Sequence, residues 1–480
     1  MELQPLLSTE SYLSWQGTAL LILIFLPIFI ARFISTIPRD LLFTIAALLS
    51  GLTGIVPSAH LYHAAFNQAI ITVFGVWLIG KAMQQQGLFH ACTAFLLSVK
   101  KEGYLGRFIF FCQTLLLGAF LQHRYFPLSI LRTCLRIAEK QRGDLSIYGF
   151  PFAYLFLIGG LATAIGTPTN ILFISLYSLS TGNVLTDFFI FLPLSIPPVF
   201  VSAIALLILK KQFHKPFSWF IETAACAVVP PDSLFIGREV PDIIVREGRP
   251  MAKKIPLQSG DLIIFNKTPQ RSPLSQYAFF NHIPQSAARV WKKIIVILSF
   301  IGAIISTFAG IPIGMAFFVA GLIALCIRSF PIRKTFQEDF PLPSLLEIFS
   351  AYLFFLAMQN SGLNVWLASF FSINTPFLLS TLFFVLAQIA SHFMPRPIAF
   401  SILFSIAAVL FSAHPAQLML MGINIAFAAA LPLFGKPLLD ETALSTAISG
   451  KTRLSIRILL VLILFATVTI PICLVWPGAS

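Results

Sequence analysis

Charged side chains are scarce in this sequence, and acidic ones most of all. Only 18 Asp and Glu stand against 32 Lys and Arg in 480 residues. Charged residues make up 10% of the chain, where a soluble globular domain carries roughly 25%. So few ionic groups cannot cover a folded chain this apolar, which excludes a soluble enzyme, a disordered protein and a nucleic-acid binder. Paired cysteines are also missing. Cys92, Cys112, Cys134, Cys226, Cys326 and Cys473 are scattered, and no two make a C-x-x-C pair. Neither a zinc site nor a disulfide framework is indicated, and the six read as packing residues. No metal and no cofactor is expected. Met1–Gln16 offers no basic residue ahead of its apolar run, which speaks against a cleavable signal peptide. Signatures of hydrolases and metalloproteases are absent, and so is the T-V-G-Y-G filter of potassium channels.

What remains is apolar length. The chain is 57% hydrophobic, with a mean hydropathy of +0.88. An apolar stretch of about 20 residues crosses the hydrocarbon core of a bilayer. Such stretches fall near 18–35, 40–57, 67–85, 146–180, 187–209, 292–308, 312–329, 345–361, 414–448 and 455–476. The fourth and ninth are too long for one straight crossing. Each carries Gly and Pro at its centre (Gly166 and Pro168; Gly435 and Pro437), so both read as broken helices. Two more apolar segments, 107–136 and 375–411, are interrupted by Gln122-His123-Arg124 and by Ser391-His392 through Arg396. These interruptions are too polar for a lipid-facing helix, so both segments read as re-entrant hairpins with buried tips. The fold class expected is an all-α polytopic membrane protein with a small β-rich insert.

Basic residues orient the spans. Arg32, Arg39, Lys100, Lys101, Arg107, Arg132, Arg136, Lys140 and Arg142 fall on one side of the ten-span arrangement. Lys210, Lys211, Lys215, Arg289, Lys292, Lys293, Arg328, Arg333, Lys334, Lys451, Arg453 and Arg457 fall on the same side. By the positive-inside rule that side is the cytoplasm. Both termini are then extracytoplasmic, and the expected location is a bacterial inner membrane.

The chain also repeats itself. Ala82-Met83-Gln84-Gln85-Gln86-Gly87-Leu88 recurs as Ala357-Met358-Gln359-Asn360-Ser361-Gly362-Leu363, 275 positions later. His123 and His392 are 269 apart, as are Gly166-Thr167-Pro168 and Gly435-Lys436-Pro437. Each half holds five spans and one hairpin. Five is odd, so the second half must insert upside down, as in secondary transporters whose sites lie between broken helices at mid-membrane. The domains expected are an N-terminal repeat over 1–210, a cytoplasmic insert over 211–291 and a C-terminal repeat over 292–480.

The stretch Gly159-Gly160-Leu161-Ala162-Thr163-Ala164-Ile165-Gly166-Thr167-Pro168-Thr169-Asn170 resembles the G-G-x-x-T-x-I-G-T-x-x-N motif of the divalent anion:sodium symporter family and its relatives. Pro38-Arg39-Asp40 through Gly54, and Asn67 to Gly87, are similar to that family's opening spans. The resemblance covers nearly the whole chain outside the central loop. It implies an elevator-type carrier, usually a homodimer, moving dicarboxylates, sulfate or similar small anions with sodium. Gln122, His123, Arg124, Thr163, Gly166, Thr167, Pro168, Asn170, Ser391, His392, Arg396, Gly435, Lys436 and Pro437 are then the substrate-binding candidates. A broken helix frees N–H groups at one half and C=O groups at the other, which suits an anion and a small cation respectively.

The departures from the family pattern carry their own expectation. Each family hairpin tip has Ser-Asn-Thr, where this chain has Gln122-His123-Arg124 and Ser391-His392-Phe393. The second break reads Gly435-Lys436-Pro437-Leu438, so Arg124, Arg396 and Lys436 add three fixed cations, with Asp440 and Glu441 as the nearest acids. A unit charge at about 4 Å repels Na⁺ by roughly 4 kcal/mol at an effective dielectric of 20, about a thousandfold in affinity. Imidazole titrates near neutrality. Protein cations and protons are thus expected to replace bound sodium, giving anion exchange or proton-coupled uptake; the co-ion is a proton or sodium.

Between the halves, Asp232 to Thr268 alternates short apolar runs with Gly, Pro and charge, reading as short strands at Leu234–Gly237, Ile243–Val245 and Gly260–Phe265. Ile236-Gly237-Arg238 and Ser259-Gly260-Asp261 resemble the TrkA-C domain. Two other functions stay open on the residues alone. A cation/proton antiporter of the same superfamily would want membrane-buried carboxylates, and almost none is expected before Asp440. A channel-like or regulatory membrane protein is the other.

Overall fold

The computed structural model describes residues 15–34, 39–88, 103–120, 155–156, 158–208, 226–228, 243–246, 249–250, 262–264, 290–338, 340–371, 375–430 and 461–469. The first half contributes α1 (Trp15–Ile34), α2 (Arg39–Leu52), α3 (Ser58–Ala65), α4 (Gln68–Gln85), α5 (Gly103–Phe120), α6 (Pro168–Thr181) and α7 (Leu192–Ile208). The second contributes α8 (Val290–Phe308), α9 (Ile313–Cys326), α10 (Ile332–Glu338), α11 (Leu342–Ser361), α12 (Leu363–Ala368), α13 (Pro376–Phe393), α14 (Arg396–Leu410) and α15 (Pro415–Ala430). Residues 461–469 form a further helical segment. Between the halves, β1 (Cys226–Val228), β2 (Ile243–Arg246), β3 (Arg249–Pro250) and β4 (Leu262–Ile264) form an antiparallel sheet in the order β1-β4-β2-β3. Val228 pairs with Leu262, and Leu262 in turn pairs with Val245.

Among the described residues, four helical stretches are long and apolar enough to cross a membrane by length and composition. They are Ser58–Gln85, Val290–Phe308, Leu342–Ser361 and Pro376–Phe393. The last is the first arm of the second hairpin, so this arm has the length of a full crossing. Shorter apolar helices accompany them. The chain is thus an all-α polytopic membrane protein in its helical part.

Lipid tails are as apolar as leucine, so helices associate in a bilayer through close packing and hydrogen bonds. Glycine supplies the close packing here. A Cβ on Gly75 of α4 would lie 2.5 Å from the Phe318 backbone nitrogen on α9. A Cβ on Gly321 of α9 would lie 2.8 Å from Leu78 Cβ on α4. The α4–α9 contact has a counterpart in α11 against α2, where Ser350 donates to Thr44 Oγ1 at 2.9 Å. α8 packs on α4 and α9, and α1 on α11 and α2. α4 and α11 also meet each other. Both of these helices end at a left-handed glycine, Gly87 with φ +71° and Gly362 with φ +74°. Arg39 and Ile313, which open α2 and α9, lie 274 positions apart, as do Gln68 and Leu342, which open α4 and α11.

A second shared contact joins α5 and α13 each to a later helix. Phe108 of α5 meets Phe200 of α7, with ring centres 6.1 Å apart. Phe377 of α13, which is 269 positions after Phe108, meets Phe465 at 6.5 Å. The cysteines depart from expectation. Cys112 and Cys326 are free thiols on outward faces, not packing residues of the core. In a lipid solvent a small apolar side chain is tolerated there, so cysteine carries no burial signal.

Candidate functional site

The interruption expected at Gly166 and Pro168 has a definite local cause. The chain runs from Gly159 through a single 3-10 turn at Gly160–Ala162 and then goes extended at Thr163. It is extended again at Thr167, which caps α6. Pro168 occupies the first turn of α6, where a missing N–H costs nothing. Gly166 is required by proximity: a Cβ there would stand 2.1 Å from the Gly160 carbonyl oxygen. The glycines before the break serve the neighbouring helix. A Cβ on Gly159 would meet the Leu115 carbonyl at 2.2 Å, and one on Gly118 the Phe156 carbonyl at 2.1 Å. Gly159 and Gly118 therefore let the broken segment sit directly on the α5 backbone, while Gly160 and Gly166 close the turn against each other.

Hydrogen bonds close the turn. Thr163 Oγ1 donates to the Ala119 carbonyl near the end of α5. Thr167 Oγ1 accepts from the Asn170 backbone N–H at 3.1 Å and lies 2.9 Å from Thr169 Oγ1. Asn170 Nδ2 donates to the Thr163 carbonyl at 2.8 Å, with longer contacts of 3.4 Å to the Gly160 and Leu161 carbonyls. Its Oδ1 is buried and has no partner. An acceptor left open this way can take a cation or a donor. At the start of α6, Pro168 has no N–H, and the N–H groups of Asn170 and Ile171 are taken by the Thr167 hydroxyl and carbonyl, which leaves the Thr169 N–H and the helix dipole to favour negative charge.

The second hairpin bends at Met394-Pro395 between α13 and α14. Ser391 is buried and donates to the Gln388 carbonyl at 3.1 Å. His392 departs from the buried tip expected of this segment: it is exposed, its ring edge-on to Phe393 with centres 5.0 Å apart. Arg396 opens α14 and donates from Nη1 to the Ala430 carbonyl at 3.2 Å, at the C-terminal end of α15. Gln388 Nε2 donates to the Ala428 carbonyl at 2.7 Å, one half-turn earlier. Gln388 stands 269 positions after Ala119, the residue that Thr163 reaches in the first half.

α6 and α14, whose first residues are Pro168 and Arg396, are brought together by packing. The Phe173 ring lies 6.3 Å from that of Phe400 and 5.7 Å from that of Phe404. Thr163, Gly166, Thr167, Pro168 and Asn170 form one cluster at the break. Ser391, His392 and Arg396 sit at the other hairpin bend. Gln122, His123, Arg124, Gly435, Lys436 and Pro437 lie outside the described residues, as do Asp440 and Glu441.

Sequence reasoning missed three features. Gln388 was passed over because a lone glutamine in an apolar helix carries no motif. Asn424 of α15 donates to the Ser380 carbonyl and hydroxyl, both at 2.9 Å, and its own Oδ1 is buried without a partner. Glu347, 6% exposed within α11, is a buried carboxylate that the sequence reading, expecting almost none before Asp440, did not single out. Among the described residues no cluster of three or more His, Cys, Asp and Glu side chains could hold a metal.

Comparison with known proteins gives one family match. The model for citrate transporters, CitMHS, matches residues 20–433, nearly the whole chain. No curated protein sequence matches. The members of the matched family are transporters, not enzymes, and the match is to citrate transporters instead of the divalent anion:sodium symporters that the Gly159–Asn170 motif resembles. With its apolar helices and the break before Pro168, this multi-pass membrane protein belongs to the citrate transporter family, a family of secondary transporters for citrate or related anions.

Proposed function

We propose that the chain is a secondary carrier of citrate-like carboxylates that works by an elevator motion of two inverted five-span repeats, 1–210 and 292–480. The insert 211–291 is then a cytoplasmic β-rich module related to TrkA-C domains. Both termini are extracytoplasmic, and the carrier is a homodimer in a bacterial inner membrane. The observation that carries this reading is reciprocity. α4 of the first half takes α9 of the second as its neighbour, while α11 of the second takes α2 of the first. Interlocked halves of this kind are what a two-fold axis lying in the membrane plane produces. The hairpin contacts agree: the α5 end is tied to the segment leading into one break, and the α13 end to the helix leading toward the other.

In this reading the carboxylates of the substrate are held by the N-terminal end of α6 with its Thr169 N–H, by Thr167 and by the cations Arg124, Arg396 and Lys436. Asn170 Oδ1, being a buried acceptor with no partner, offers a place for a co-ion or a substrate hydroxyl. His123 and His392 stand where relatives of the symporter type keep Asn, so coupling is to protons or to exchange, not to sodium. Purified protein in proteoliposomes should take up labelled citrate in preference to succinate, sulfate and phosphate. Uptake should be flat in sodium and should change between about pH 5.5 and 7.5. Uptake that rises and saturates with sodium would defeat the coupling proposal. Absence of uptake of any carboxylate would defeat the substrate proposal. Reporter fusions near Pro250 and at the C-terminus should report opposite compartments; the same compartment for both would defeat the inverted-repeat arrangement.

A further inference from the structure

One end of the α8–α9 pair carries a cationic cluster that transport leaves unused. α8 opens with Val290-Trp291-Lys292-Lys293, and Arg328 and Arg333 follow α9. Lys292 Nζ donates to the Arg328 carbonyl at 2.8 Å, which holds the start of α8 beside the end of α9. The same ammonium lies 5.6 Å from the centre of the Trp291 ring. Arg328 has φ +48°, and it is the one non-glycine residue with positive φ among the described residues. The left-handed region is disfavoured for a long L side chain. That conformation, with its carbonyl turned to Lys292, leaves the Arg328 guanidinium exposed. Residues 290–337 contain no Asp or Glu, and the acids that follow, Glu338 and Asp339, come after Arg333 at the far end of α10. Directly below, Ile294 and Leu298 on α8 and Leu322 and Ile323 on α9 face outward.

We propose that this end of the α8–α9 pair binds the phosphate headgroup of an anionic phospholipid. Lys292, Lys293, Arg328 and Arg333 supply the charge, and Trp291 sits at the headgroup level, where indole is favoured. The acyl chains lie along Ile294, Leu298, Leu322 and Ile323. A free phosphate ion would find the same cations but would leave the apolar rows beneath them unused. Basic residues between helix ends at the membrane surface are the usual means of recognising anionic headgroups.

The test is native mass spectrometry of the purified full-length chain in detergent, titrated with phosphatidylglycerol or with phosphatidylcholine. The first phosphatidylglycerol should bind more tightly than the first phosphatidylcholine. Each surface cation contributes about five-fold in affinity, so Lys292→Gln with Lys293→Gln should weaken phosphatidylglycerol binding about 25-fold and leave phosphatidylcholine unchanged. Lys292→Arg with Lys293→Arg should keep the preference to within about two-fold, because charge is retained. If the double glutamine variant does not fold, Arg333→Gln should still show its single loss of about five-fold. Equal binding of the two lipids would overturn the proposal, as would a preference that survives removal of the charges. Complete competition by millimolar inorganic phosphate would assign the cluster to a free anion and overturn it as well.

Discussion

Replacing Asn170 by alanine tests whether one amide holds the helix break in shape. Nδ2 donates to the Thr163 carbonyl at 2.8 Å and touches two further carbonyls at 3.4 Å. The side chain is fully buried, so no water stands ready to replace it. Only a long bond of 3.4 Å from the Gly166 N–H would remain on the Thr163 carbonyl. A net hydrogen bond contributes about 1 kcal/mol, and a buried acceptor left largely unmet costs about 1–3 kcal/mol. The expected loss is therefore about 2 kcal/mol. Thermal unfolding of the purified protein in detergent should show the transition falling by several degrees. Asn170→Asp should be worse than alanine, because it turns an acceptor toward three carbonyls. If the Oδ1 side also meets the substrate or its co-ion, Asn170→Ala should raise the KM for citrate uptake in the protein that survives. An alanine variant as stable as the wild type would refute the argument. So would an aspartate variant as stable as the wild type, since those carbonyls could not then be the amide's partners.

Gly75→Ala and Gly159→Ala should each destabilise the protein by about 1–3 kcal/mol in the same assay, since the added Cβ meets backbone that cannot move aside. Gly302→Ala on α8, where nothing lies within 4 Å of the added Cβ, should be neutral or gain up to about 1 kcal/mol of helix propensity; a loss equal to that of Gly75→Ala would undo the packing argument. Arg396→Met should cost about 1.5–3 kcal/mol, the range for a charged hydrogen bond, and should reduce citrate uptake more than Arg396→Lys does. Ser350→Ala, which removes the hydroxyl bridge to Thr44 between α11 and α2, should cost only about 0.6 kcal/mol, measured against the same thermal transition.

The sequence by itself determined where the chain is apolar and where its helices stop. In lipid every backbone N–H and C=O must be satisfied within the protein, so glycine, proline and polar residues inside a long apolar run have few explanations. That is why the ends of α4 and α11 at Gly87 and Gly362, and the break at Gly166-Thr167-Pro168, could be read from the letters alone. The glycines of that motif could be located but not understood; only the structure shows that Gly159 is required by the Leu115 carbonyl and Gly166 by that of Gly160. Partner choice was not legible. Hydropathy separates lipid from water, yet it does not distinguish the face of α4 that meets α9 from a face that meets lipid, because both are apolar. The same blindness hid the burial of Glu347, the exposure of Cys112 and Cys326, and the reach of Gln388 and Arg396 to the end of α15. Those contacts join residues from different helices through single hydrogen bonds, and a single hydrogen bond leaves no periodic trace in a sequence. Tertiary packing alone decided them.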